Sequence, residues 1–241
     1  MQTRTTEIAD GIHQFTTYVD EMDFSFNQYL VTGDEPLLFH TGLRHLFPLV
    51  AEAVATVVPV DSLRWISFGH VEADESGSLN QWLAAAGQAT VAQSGIGCMV
   101  SVGDLADRPP RALGDGEVLD IGGHRLRWID TPHLPHGWEA GILYDETTTT
   151  LLCGDLFTQQ GAYEASSGRD IVGPAAAAED IFGSYSLTPS SGSRLRDLAQ
   201  LDVSTLALMH GPAFTGDCSA ALVGLADDIE ARSARATERR G

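Results

Sequence analysis

What this chain lacks bounds its function. Lys and Arg together number 14 against 33 Asp and Glu, a formal charge of −19, so DNA, RNA or another polyanion is repelled over most of the surface and nucleic acid is excluded as a partner. No apolar run approaches the roughly 18 residues that a membrane span needs, and the N-terminal stretch Met1 to Glu7 lacks the apolar core of a secretory signal. The expectation is a cytoplasmic protein that does not touch the membrane. The three cysteines, Cys98, Cys153 and Cys218, form no CxxC pair, so neither a thiolate metal site nor a disulfide framework is indicated. No nucleotide fingerprint, internal repeat or linker interrupts the 241 residues, whose composition of 43% hydrophobic and 20% charged suits a single globular domain over 1–241.

What is present begins with His70-Val71-Glu72-Ala73-Asp74, directly after the apolar segment Trp65 to Phe68. The run sets an imidazole and two carboxylates two residues apart, so that alternate side chains turn toward one pocket. Nitrogen and oxygen donors together suit iron, manganese or zinc.

The surrounding pattern alternates strands and helices. Strands are predicted at Gly11 to Val19, Gln28 to Thr32, Pro36 to Thr41, Leu63 to Phe68 and Thr90 to Ala92, with a turn at Gly33-Asp34-Glu35. A helix is predicted over Arg44 to Val58, with Pro48 in its first turn, and another over Ser76 to Ala86. Ile96 to Leu105 reads as a short helix or turn, and Asp107 to Asp115 as a surface loop. Further strands are expected at Glu117 to Ile121, Arg125 to Asp130, Ala140 to Tyr144, Leu151 to Cys153 and Thr205 to Met209. A helical region from Ala175 to Gln200, broken at Leu187 to Gly192, and a final amphipathic helix from Ser219 to about Glu238 complete the chain. Two strand-rich halves with helices outside them predict an α/β, four-layer αββα sandwich.

Three more metal-ligand types follow apolar strands: His133 or His136 after Leu126 to Ile129, Asp155 after Leu151 to Gly154, and His210 after Leu206 to Met209. Recurrence of such residues at strand ends is what a metal centre between two sheets requires.

From about residue 10 to residue 212 this ordered set resembles the metallo-β-lactamase superfamily. Its usual signature is His-x-His-x-Asp-His, a distant His, a Gly-Asp pair and a final His. Glu72 in the second position is similar to the His-x-Glu-x-Asp form of the di-iron branch, which includes flavodiiron and oxygen-binding di-iron proteins. The resemblance implies that His70, Glu72 and His136 bind one metal and that Asp74, Asp155 and His210 bind the other, with Asp155 bridging. His136 is preferred over His133 because the 18 residues between it and Asp155 match the family's spacing. His133 is then expected behind the ligands or in the substrate pocket, and His40 behind the ligands. Glu75 stands where most of the superfamily has His; a carboxylate there could bind metal, hydrogen-bond a ligated water or face solvent.

The resemblance implies two metal ions, iron in the first instance with zinc or manganese as alternatives, and O2 or NO as the small-molecule ligand. The expected function is therefore O2 binding, with reduction of O2 or NO, or oxygen sensing; the alternative is a metal-dependent hydrolase of the same fold. The text ends at Gly241 with no flavodoxin-like domain after the last helix, so reduction implies a separate electron donor, and sensing a signalling partner. The flavodiiron relatives' head-to-tail pairing leaves a homodimer open.

Overall fold

The computed structural model describes residues 1–238. Seven strands follow one another across the first sheet: β1 (Thr3–Ala9), β2 (Ile12–Val19), β3 (Phe24–Val31), β4 (Leu37–Phe39), β5 (Trp65–Ser67), β6 (Thr90–Ser94) and β7 (Arg111–Leu113). The first four pair antiparallel, and β4 to β7 run parallel. The second sheet comprises β8 (Val118–Asp120), β9 (Arg125–Asp130), β10 (Gly141–Asp145), β11 (Thr150–Leu152), β12 (Ser166–Ser167), β13 (Thr205–Ala207) and β14 (Ala213–Phe214). Its order is β12-β14-β13-β11-β10-β9-β8.

Side-chain alternation along these strands builds the layers. Tyr29, Val31, Leu37 and Phe39 meet Trp128, Leu143, Leu152 and Ala207 between the sheets. The intervening residues Leu30, Leu38 and Ile66 face outward onto Val50, Val54 and Trp82 of helices Phe47–Val54 and Leu79–Ala85. On the opposite side Ile142, Leu151 and Leu206 pack against Leu195, Leu222 and Leu225 of helices Ser191–Leu198 and Cys218–Glu238. Three buried seams separate four layers, the αββα sandwich that the sequence predicts. No helix among the described residues is long and apolar enough to cross a membrane.

Several boundaries differ from the sequence reading. The helix expected over Ser76 to Ala86 is two pieces, Ala73–Ser76 and Leu79–Ala85. Between them the Ser78 amide bonds across to the Gly42 carbonyl and to Thr41 Oγ1, outcompeting the helical ladder. The predicted loop 107–115 contains β7, an edge strand of three residues beside two prolines and so without a readable period. β1, β12 and β14 were not predicted either; all are edge or two-residue strands with little alternation. β3 begins at Phe24 rather than Gln28, which brings Phe24 and Phe26 to the sheet end where the ligand types gather.

Candidate metal centre

Each candidate ligand leaves a strand end through a turn that tertiary hydrogen bonds fix. After β5, the Gly69 carbonyl accepts from the Gly141 amide of the second sheet at 2.9 Å, and His70 follows. Glu72 occupies the extended N-cap position of helix Ala73–Ser76, and Asp74 lies in its first turn. His70, Glu72 and Asp74 therefore converge where the loop passes into a helix that starts at Ala73, three residues earlier than the sequence reading sets it. The β9–β10 connection is closed by bonds from the Thr131 amide to the Ala140 carbonyl at 2.8 Å and from the His133 amide to the Gly137 carbonyl at 2.7 Å. Gly137, at φ +79°, turns the chain directly after His136. Gly154, at φ +53°, precedes Asp155, and the Met209 amide bonds to the Gly154 carbonyl, so the turns carrying Asp155 and His210 brace one another.

Six side chains meet in two groups. In the first, His70 Nε2 lies 3.6 Å from Glu72 Oε2 and 3.6 Å from Asp155 Oδ2, while His136 Nε2 lies 3.3 Å from Glu72 Oε1 and 3.4 Å from Asp155 Oδ2. In the second, His210 Nε2 lies 3.1 Å from Asp74 Oδ2 and 3.4 Å from Asp155 Oδ1. Within each group the donor atoms lie inside 4.8 Å of one another, and Asp155 belongs to both, one oxygen to each. Buried His70 Nε2, His136 Nε2 and Asp155 Oδ1 have no hydrogen-bond partner. Such unpartnered atoms are costly unless a cation completes them, and imidazole nitrogens with carboxylate oxygens fit iron, manganese or zinc. On both counts the residues fit a pair of metal ions.

The electrostatics are those of imidazoles set among carboxylates. Burial opposes protonation of His210, yet the Asp155 and Asp74 carboxylates beside its Nε2 push its pKa up to about 10. Burial likewise opposes protonation of His136, but the neighbouring Asp155 and Glu72 carboxylates push it up to about 9. The His136 and His70 imidazoles beside it bring Glu72 down to about 2. Asp155 is held well below the carboxylate range because His136 and His210 outweigh its burial.

Behind the groups, Glu75 is completely buried. It neither joins a metal group nor faces solvent: Oε2 accepts from the His70 amide at 2.8 Å, and Oε1 lies 3.2 Å from His70 Nδ1 and 3.6 Å from His40 Nε2. His40 is buried as well, with Nδ1 3.2 Å from the Asn27 carbonyl. His133, expected behind the ligands or in the substrate pocket, is exposed, outside both groups and not among the described residues lining the cleft.

Several supporting residues carry no signal in the sequence. Ser25 offers its carbonyl to His210 Nδ1 at 2.9 Å. Asn27 Nδ2 donates to the carbonyls of Leu208 and Gly211, clamping the His210 turn, and Glu139 Oε1 accepts from the Val71 amide. Phe24 and Phe26 meet the His210 ring edge-on, and Phe24 also meets Phe182. An open cleft of about 490 Å³ lies over the groups, bounded by Phe24, Glu72, His136, Thr158, Phe182 and His210. Among its described lining residues there is no Arg or Lys.

Comparison with known proteins places this geometry in context. The family model described as ODP family beta lactamase matches residues 24–176. Diflavin flavoprotein A 1 of Synechocystis sp. is 24% identical over 213 residues, covering 86% of this chain and 35% of that protein. Flavo-diiron protein FprA2 of Clostridium acetobutylicum is 28% identical over 211 residues, covering 81% of this chain and 50% of its own length. The chain thus spans between about a quarter and a half of the length of the curated relatives it matches. Among solved structures, rubredoxin oxygen:oxidoreductase from Desulfovibrio gigas superposes with a TM-score of 0.83 at 18% identity, over 94% of this chain and 62% of that one.

Proposed function

From a chain that belongs to the ODP family beta lactamases, in the flavodiiron branch of the metallo-β-lactamase superfamily, we propose a protein that holds two iron ions and uses them to bind and reduce O2 or NO. The observation that carries this reading is the sharing of Asp155 between the two groups, with His70, Glu72 and His136 on one side and Asp74 and His210 on the other. An iron pair held this way supplies adjoining positions and electrons for a diatomic ligand.

The chain's own residues do the rest. Asp155 directs one carboxylate oxygen to each group and would be shared by the ions held there. Glu72, Asp74 and Asp155 bring three negative charges that favour the higher oxidation states of iron, which a histidine-richer set would not. Phe24 and Phe182 wall the cleft on the His210 side and limit water there. Turnover of this kind consumes electrons, which an electron donor must supply. The hydrolase alternative is weaker, because among the described lining residues no Arg or Lys is there to hold a phosphoryl or carboxylate substrate.

The test is anaerobic purification with metal analysis and an absorption spectrum before and after air. Two irons per chain and a new near-ultraviolet band on exposure to O2 are expected. Two zinc ions with no spectral change would overturn the proposal in favour of a hydrolase.

A further inference from the structure

The three imidazoles that present Nε2 to the metal groups are held from behind in three different ways. Behind His210 stands a neutral group, the Ser25 carbonyl, 2.9 Å from Nδ1. His136 Nδ1 is buried with no partner. His70 alone is backed by a carboxylate, Glu75, whose Oε1 lies 3.2 Å from Nδ1 and whose Oε2 accepts from the His70 amide.

Glu75 is costly where it sits. It is completely buried, the sequence contains no lysine, and no arginine ion pair among the described residues includes it. A buried carboxylate without a cation costs several kcal/mol, so one kept there needs compensation nearby. The backbone makes room for it twice. A Cβ on Gly69 would stand 3.1 Å from Glu75 Oε2, and one on Gly154 would stand 3.1 Å from Oε1. Both turns that launch ligands, Gly69-His70 and Gly154-Asp155, thus close on the same carboxylate.

We propose that Glu75 is a positioning residue that makes the two metal sites electronically unequal, by holding His70 through Nδ1 and placing negative charge behind the His70 side alone. The inference rests on the reading that the two groups hold metal ions. A carboxylate that accepts from the far nitrogen of a ligating imidazole fixes its tautomer and strengthens it as a donor. The site formed by His70, Glu72 and His136 therefore favours the more highly charged ion, and the Asp74 and His210 site lacks that bias.

Glu75→Gln in the full chain tests this, since glutamine keeps the length and an accepting oxygen while removing the charge. Zinc titration of wild type and variant should show one of the two sites weakened by about tenfold and the other unchanged. With iron, potentiometry read by Mössbauer spectroscopy should show one iron alone easier to reduce by a similar factor, about 59 mV for one electron. Should the glutamine variant not fold, Glu75→Asp keeps the charge but withdraws it from His70, and a smaller change at one site is expected. Equal changes at both sites, or none at either, would overturn the inference. Wild-type protein that takes zinc and refuses iron would sink the di-iron reading instead, leaving the zinc titration to decide this one.

Discussion

Asp155 is the residue on which the candidate centre turns, because its two oxygens serve different groups. Asp155→Asn keeps the shape and removes the shared charge, so metal content should fall from two ions per chain to one or fewer; elemental analysis after desalting reads this. The histidines give a second expectation, in pH. Without metal, His136 and His210 have pKa values raised to about 9 and 10 from 6.5, so their pairing contributes stability that is complete below 6.5 and lost as pH rises through 9 to 10. Glu72, lowered from 4.5 to about 2, contributes stability present above 4.5 and lost as pH falls through 2. These three groups together therefore favour the metal-free fold most between 4.5 and 6.5. Metal ions need the same imidazoles deprotonated, so uptake at pH 7 should release protons into weak buffer and affinity should rise with pH. Uptake with no proton release would show that the histidines were already neutral.

At the scale of elements, precision comes from close backbone approach. Gly141 opens β10 where a Cβ would collide with the Trp128 ring, and its amide bonds to the Gly69 carbonyl just before His70. Gly141→Ala must push Trp128 out of the seam between the sheets or move the strand, at a cost of about 1–3 kcal/mol. Gly87→Ala, where a Cβ meets nothing within 4 Å, should change stability by no more than about 0.5 kcal/mol. Denaturant melts of the two variants give the comparison. Element boundaries were legible where a strand is long and alternates: Arg125–Asp130 is found as predicted. They were illegible where tertiary bonds override local preference, as at Ser78, which turns to Thr41 and Gly42 and splits a helix that periodicity alone would continue.

Across the whole molecule, the first sheet and its following helix supply His70, Glu72 and Asp74, while the second supplies His136, Asp155 and His210. Metal ions in these groups would tie the two halves of the sandwich together at one end. Binding to the folded state alone at a hundred times Kd adds about 2.7 kcal/mol, so a chelator should lower Tm by several degrees. Amide exchange should then quicken first in the turns around Gly69, Gly137 and Gly154. A melting temperature indifferent to chelator would contradict the clamp.

The sequence by itself determined the kinds of residue at the strand ends, their order, and hence the layered sandwich, because alternation and strand-end placement are local properties of the text. The preference for His136 over His133 came from the spacing of the family the chain resembles; His136 lies in the first group and His133 is exposed. Tertiary structure alone decided which way Glu75 points, since the same loop could have turned it to solvent; burial against Gly69, Gly154 and His40 turns it behind His70. It alone brought Phe24, Phe26, Ser25 and Asn27 to His210, 185 residues from Ser25 along the chain. Contacts between residues so far apart leave no local period, and only the closing of one sheet over the other brings them into reach.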